Sequence, residues 1–284
     1  MIESRPMTPE RRKLKSYLPY ILAGALLLSL LAMVKSEKLL LQKASRIQQE
    51  ADLSTYFYIP TWAKNVSEIK EADYRRILAE FQAKYIGPVY QETGKPLIAP
   101  NSWSNPYFAG AAVVDEQMAQ LILWGGLARA PGATSAVVAT VLCHELGHIV
   151  GGEPRQSAPL PEWSSSEGQS DFYAATVCLP EYLKAHPELK IPLDAEVKEL
   201  CKDDKTCGAI AQTGLDFIRF LQRYSYRDFK AVSVLAEESP SPELIRNRYP
   251  TDQCRLDNFV KAALCVSSGT TCEPPACWFS EKQK

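Results

Sequence analysis

The sequence predicts an α+β domain, in which a small and mostly antiparallel sheet is packed by two helices, behind one N-terminal transmembrane helix. Three observations lead to this prediction. An apolar stretch follows a basic N-terminus, short strand-like pieces lie between residues 95 and 124, and two helical segments follow residue 134. The chain beyond the apolar stretch, about 240 residues, is long enough to bury one sizeable core.

The N-terminus has the composition of a membrane anchor. The basic residues Arg11, Arg12, Lys13 and Lys15 precede an uncharged stretch, 16–34, rich in Leu, Ala and Ile. At a rise of about 1.5 Å per residue, such a helix nearly spans a hydrocarbon core of about 30 Å. No small-x-small cleavage site is obvious, so we expect an uncleaved signal anchor, with signal cleavage and secretion as the alternative.

These features divide the chain into four parts. We predict a cytoplasmic basic tail at 1–15, a single membrane pass at 16–34, a stalk at 35–60 and an exported domain at 61–284. The excess of positive charge before the apolar stretch keeps the N-terminus in the cytoplasm. The large domain is therefore expected in the periplasm or outside the cell.

A helix is expected from Ser135 to Val150. Thr134 or Ser135 can cap its start, the run 136–143 is apolar all round, and a double glycine at 151–152 ends it. It carries the run His-Glu-Leu-Gly-His at 144–148.

The two histidines of this run are four residues apart. That spacing puts His144 and His148 on one helix face, where both imidazoles can bind one zinc ion. Glu145, between them, stands where a carboxylate can take a proton from a zinc-activated water. The alternative is a surface helix with two exposed histidines, which the apolar approach to the motif disfavours.

A third metal ligand is expected from the segment 167–171, Glu-Gly-Gln-Ser-Asp. Glu167 and Asp171 are one helical turn apart, and small residues after them allow close packing on the first helix. We predict Glu167 as the ligand, with Asp171 accepting the other ring N–H of a zinc-bound histidine. The alternatives are Asp171 as the ligand, or an ordinary acidic first turn of a helix capped by Ser164 or Ser165.

These two motifs resemble the gluzincin metallopeptidases of the HtpX and CAAX-prenyl-protease type, whose pattern is H-E-x-x-H followed by E-x-x-[AS]-D. The resemblance covers about residues 95–180. It implies a zincin-like metallopeptidase domain, one zinc ion with a glutamate as third ligand, and endopeptidase activity. It also implies that the segment 117–124 is a strand along the edge of the cleft; a plain core strand is the alternative.

The sequence departs from that family in three respects. The gap between the two motifs is short, there is one apolar span rather than several, and the downstream His-Pro-x4-Arg signature has a tyrosine first, as Tyr249 to Arg255. The resemblance suggests that Tyr249 or Arg255 donates to the oxyanion of the transition state. The alternative is a surface turn with an arginine salt bridge.

All eight cysteines lie after the apolar stretch, which predicts disulfides in an oxidising compartment. Eight cysteines allow 105 connectivities. Close spacing favours Cys201–Cys207 and Cys272–Cys277, and Cys143, beside the motif, is a partner for Cys178. A cysteine ligand to the zinc is the weaker reading, because no Cys-x2-Cys pair occurs.

Three further segments have helical patterns. An apolar stripe at 66–86 predicts a helix that ends before Pro88, and the segments 207–224 and 256–266 read as amphipathic helices.

The sequence thus predicts a membrane-anchored, exported zinc endopeptidase that acts on a peptide or protein substrate. From residue 37 onward there are 26 Lys and Arg against 31 Asp and Glu, a net charge of −5, which argues against a nucleic-acid partner. Two other functions stay open. One is a non-catalytic domain that zinc braces to scaffold envelope partners, and the other is a zinc hydrolase of a non-peptide amide.

Overall fold

A three-stranded sheet with helices packed around it makes up the part of the chain that the computed structural model describes, residues 58–64, 66–224 and 230–280. The α+β class is therefore confirmed. The predicted anchor and most of the stalk lie outside the described residues. Within them, no helix combines the length and the apolar character needed to cross a bilayer.

The sheet has the order β1-β3-β2, with β1 at Leu97–Ile98, β2 at Gly110–Val114 and β3 at Ala119–Leu123. β2 and β3 pair antiparallel over five residues, whereas β1 and β3 pair parallel over two, so the sheet is mostly antiparallel as predicted. The expectation that the strand at 117–124 borders a cleft is wrong. β3 is the central strand, because β2 pairs along all five of its residues on one edge and β1 along its first two on the other, and alternate side chains along it are buried in the core.

The first described helix, α1, spans Glu71–Thr93 and continues through Pro88, which the sequence had placed beyond its end. Its buried face extends past the proline to Val89, which is fully buried. Apolar packing there offsets the main-chain hydrogen bond that proline cannot make. The helix ends at Gly94, whose φ of +67° and N–H bond to the Tyr90 carbonyl form a left-handed cap.

The helix with the His-Glu-Leu-Gly-His run, α3, spans Ser135–Val150 as predicted and follows the short helix α2, Gly125–Arg129. The Thr134 side chain caps α3 by accepting from the Val137 N–H. Nearly all its residues are buried, so the helix crosses the core.

The rest of the described chain is helical with long connections. The helices are α4 (Glu167–Tyr173), a π-helical turn (Ala174–Cys178), α5 (Leu179–Ala185), α6 (Ala195–Cys201), α7 (Lys205–Arg223) and α8 (Asp252–Ser268). The two amphipathic helices predicted near the C-terminus correspond to α7 and α8, each with earlier starts than predicted.

Four disulfides include all eight cysteines, and two pairings follow the prediction, Cys143–Cys178 and Cys201–Cys207. The predicted Cys272–Cys277 bridge is wrong, because the pairs are Cys265–Cys272 and Cys254–Cys277. Cys254 and Cys265 lie near opposite ends of α8, and the chain turns back after it, so each meets a different downstream cysteine. No thiol is left to serve as a metal ligand.

Candidate metal centre

Two helices bring together three side chains that could bind one metal ion. His144 and His148 project from one face of α3, with ring centroids 4.8 Å apart. Glu167, the first residue of α4, enters from the side. Ser166, rather than Ser164 or Ser165, caps this helix, because its hydroxyl accepts from the Gln169 N–H.

The three side chains converge on one point. The Oε2 atom of Glu167 lies 3.2 Å from Nε2 of His144 and 3.6 Å from Nε2 of His148. Zinc–ligand bonds of about 2.0–2.1 Å in a tetrahedron separate ligand atoms by about 3.3 Å. The spacing observed therefore fits one small tetrahedral cation between the three atoms.

Glu167 Oε2 is buried and has no hydrogen-bond partner of acceptable geometry. An unsatisfied buried carboxylate oxygen that faces two ring nitrogens is costly unless a cation lies between them. This residue set can therefore hold a metal ion, and it is the group that the described residues offer for one.

Asp171 and Arg255 form a charged pair, and its carboxylate contacts the Nδ1 side of the His144 ring. The His144 Nδ1–H donates to Oδ1 of Asp171 at 2.7 Å, and Arg255 donates to both oxygens of the same carboxylate, from Nε at 2.7 Å and from Nη2 at 3.0 Å. Asp171 thus has the orienting position that the sequence predicted for it. All three side chains are buried.

Arg255 is paired with Asp171 and lies against the ring of Tyr249. The alternative, a surface turn with an arginine salt bridge, is right in part: Tyr249 is exposed and Arg255 forms an ion pair with Asp171, but that ion pair is buried. Two of its N–H groups are committed to Asp171, and its predicted role as an oxyanion donor stays a prediction. The sequence showed no sign of this pairing, because Asp171 and Arg255 are 84 residues apart.

Uncharged oxygens hold His148 instead. Its Nδ1 lies 2.9 Å from the Ser165 carbonyl oxygen, 2.9 Å from Ser170 Oγ and 3.1 Å from Ser164 Oγ. The Nδ1–H of His148 donates to these oxygens, which leaves its Nε2 lone pair free for a metal. The run of three serines just before Glu167 was the sequence signal for these contacts, and sequence reasoning assigned it only to helix capping.

When no metal is bound, the raised pKa values of His144 and His148 favour protonated imidazoles next to Glu167. Burial lowers the pKa of His144, but Asp171 and Glu167 outweigh it and raise the value to about 10. Burial likewise opposes the raised pKa of His148, which the adjacent Glu167 causes. Both imidazoles hold the pKa of the buried Glu167 below its usual range. Metal binding must therefore displace protons.

Glu145 lies between the histidines and the sheet. A Cβ atom built on Gly110 of β2 would come within 3.0 Å of Glu145 Oε1, and the Ala112 N–H donates to this carboxylate. Burial raises the pKa of Glu145, although the two histidines oppose the rise. A raised pKa makes a carboxylate beside the three candidate ligands a better proton acceptor.

Tyr249 lies at the outer side of this group, with 46% of its surface exposed. The Arg255 guanidinium carbon is 5.0 Å from its ring centroid. The negative charge of Glu167 raises the pKa of the phenol, so the hydroxyl is a proton donor at neutral pH. Its predicted contact with a transition state stays a prediction.

The fold and the site define an α+β protein with a candidate His-His-Glu metal centre. Comparisons of the chain with protein-family models, with curated proteins and with solved structures find no match. The function must therefore be argued from the residues themselves.

Proposed function

We propose that the chain is a zinc metalloendopeptidase with a zincin-like domain of the gluzincin type, anchored in the membrane by residues 16–34. The observation that supports it most is the buried Glu167 Oε2, which makes no hydrogen bond of acceptable geometry and faces His144 and His148, with Glu145 beside them. Two imidazoles and a carboxylate are a common ligand set of catalytic zinc sites, which keep a fourth position open for water.

The number of candidate ligands favours a catalytic zinc site over a structural one. A structural zinc site usually has four protein ligands, and the described residues offer a group of three. A structural zinc site also has no need of a half-buried carboxylate like Glu145 next to the ligands. This weighs against the non-catalytic scaffold that the sequence left open.

Zinc, when bound, would activate a water molecule and polarise the scissile carbonyl. Glu145 would take the proton of the attacking water on its carboxylate and deliver it to the leaving amine. The raised pKa of Glu145 suits both steps, because the group must accept the proton and then release it. Asp171 would keep the Nε2 lone pair of His144 directed at the centre.

The outer edge of β2 favours an extended peptide as the substrate. Ala111 and Val113 pair with β3, so the main-chain groups of Gly110, Ala112 and Val114 face away from it. The Ala112 N–H already meets Glu145. A peptide that added itself to this edge would run past Glu145 and the ligands. A small non-peptide amide would make no use of such an edge.

The four disulfides agree with an exported domain, in the periplasm or outside the cell. Each bridge stabilises a folded domain by about 2–4 kcal/mol, which helps a protease to resist cleavage in an exposed compartment. The membrane anchor and the export are proposals from the sequence alone.

The first experiment tests metal and catalysis separately. We expect the purified chain to bind one zinc ion and to cleave an unstructured protein, with activity lost to a chelator and restored by zinc. Glu145→Gln should keep zinc and lose turnover by at least about 100-fold, since general-base catalysis contributes roughly 10²–10⁴-fold. His148→Ala should lose both, and the exposed Glu162→Gln is the matched control.

The outcomes separate the three functions. Stoichiometric zinc without cleavage of any protein substrate supports the scaffold. Cleavage of small amides but not of peptides supports the non-peptide hydrolase. Wild-type turnover by Glu145→Gln overturns the catalytic assignment.

A further inference from the structure

The C-terminal segment 275–279 returns to the start of α8 and packs there. Cys277 is bonded to Cys254, in the first turn of that helix, and Trp278 is fully buried. The Ile245 N–H donates to the Trp278 carbonyl at 3.0 Å, and the Ser241 N–H donates to the Ala276 carbonyl at 2.9 Å. A disulfide and main-chain hydrogen bonds thus fix this segment, which we call the C-terminal clamp.

Trp278 lies directly against the helix that carries Glu167. A Cβ atom on Gly168 would stand 2.3 Å from Cδ2 of the indole, so only glycine allows this approach. The indole Nε1–H donates to Oδ1 of the buried Asn258 at 3.0 Å, which fixes the ring in its plane. Phe172, on the same short helix, joins the small apolar cluster around Trp278.

The N-terminal end of α4 depends on contacts with other segments. α4 has seven residues and continues directly through the π-helical turn into α5, so neighbouring helical turns support it only on its C-terminal side. Glu167 is its first residue, where a helix frays most easily. α3 supports it through Gly147, which lies against the Ser170 backbone. The clamp supports it through Gly168.

We infer that the clamp is a positioning element of the metal centre: Trp278, pressed on Gly168, holds Glu167 at the distance from His144 and His148 that a metal ion requires. The inference rests on the metal centre of the proposed function, though not on peptide hydrolysis. The Cys254–Cys277 bridge joins the clamp to the residue before Arg255, so the clamp and the support of Asp171 share one anchor.

The decisive measurement is zinc affinity, obtained by competition with a chromophoric chelator on the full chain. Residues that hold metal ligands in place typically contribute 10–100-fold in affinity. Gly168→Ala should weaken zinc binding by about 10–100-fold. Trp278→Phe, which keeps an aromatic ring but loses the N–H, should have a smaller effect of the same sign.

Two controls separate positioning from general destabilisation. Gly208→Ala adds the same methyl group in the first turns of α7, where it meets the Leu193 side chain at 2.8 Å, away from the ligands. Removal of the Cys201–Cys207 bridge is the control for removal of the Cys254–Cys277 bridge. The thermal midpoint of the chelated protein reports the stability of each variant, and Co²⁺ absorption reports the ligand geometry.

The inference is supported if the clamp variants lose zinc affinity and alter the Co²⁺ spectrum, while the control variants do neither at similar stability. Folded clamp variants that bind zinc as the wild type does would overturn it. If Gly168→Ala fails to fold, Trp278→Phe and the double change Cys254→Ser/Cys277→Ser decide. A wild-type chain that binds no zinc would instead refute the proposed function.

Discussion

The two histidines of the candidate centre share one helix but are held by different chemistry. Behind His144 stands a carboxylate, Asp171, that is itself held by a buried arginine. The Nδ1 atom of His148 contacts a main-chain carbonyl and two serine hydroxyls, all of them uncharged.

The partners of His144 and those of His148 should therefore affect the metal centre differently. A carboxylate partner makes an imidazole more basic and lets it keep a proton when no metal is bound, as the pKa of about 10 for His144 indicates. Neutral oxygens orient the His148 ring and fix its tautomer without adding charge. We therefore expect the His144 side to control stability and pH dependence, and the His148 side to make a smaller contribution.

The largest effect is expected from Asp171→Ala. It leaves Arg255 as an unpaired buried charge, which costs about 3–5 kcal/mol in the free energy of unfolding. It also removes the partner of His144, so zinc affinity should fall roughly 10–100-fold. Denaturant unfolding of the chelated protein and chelator competition measure the two losses.

The double change Asp171→Leu/Arg255→Leu is the control for this prediction. It removes both charges, and apolar replacements of a buried pair are often neutral for stability. Stability should therefore recover while zinc affinity stays low. An unfolding free energy of Asp171→Ala within about 1 kcal/mol of wild type would contradict the importance given to this pair.

An intermediate effect is expected from pH on the metal-free protein. The pKa of His144 rises on folding from an ordinary 6.5 to about 10, so the protonated imidazole stabilises the fold. That stability is present in full below the unfolded pKa and is lost as pH rises from 6.5 toward 10. The thermal midpoint in chelator should fall across this window, and zinc affinity should rise across it.

Asp171→Asn is the matched variant for the pH experiment. It keeps the shape of the side chain but removes the charge that raises the pKa of His144. The fall of the thermal midpoint with pH should become shallower in this variant. An unchanged slope would assign the proton to another group.

The smallest effect is expected from Ser170→Ala, on the His148 side. The Ser165 carbonyl still accepts the Nδ1–H at 2.9 Å after the hydroxyl is removed. The loss should be about 1 kcal/mol, equivalent to less than tenfold in zinc affinity by chelator competition. A loss of zinc affinity as large as that of Asp171→Ala would show that the two sides do not differ as argued.

The parts of this protein that sequence reasoning described well depend on short-range geometry. The bounds of α3 follow from a threonine cap, an apolar run and a double glycine. The pairing of Cys143 with Cys178 could be anticipated because both lie beside recognised motifs. The placement of Glu167 beside the histidines and of Asp171 against His144 was anticipated from a spacing of one helical turn, together with a resemblance to a known pattern.

The parts it missed depend on the path of the chain. β3 is central because it inserts between β2 and the earlier strand β1, and Pro88 stays within α1 because Val89 is buried beyond it. The cysteines around α8 pair according to the direction in which the chain turns after the helix.

By itself the sequence determined which groups can bind a metal, since helix periodicity alone puts His144 and His148 on one face. Only the tertiary structure decided how those groups are held. Arg255 reaches Asp171 and Trp278 reaches Gly168 across long separations, through packing that no local pattern encodes. The physical reason is range: backbone geometry acts over a few residues, whereas burial and charge pairing act between whichever segments the fold brings together.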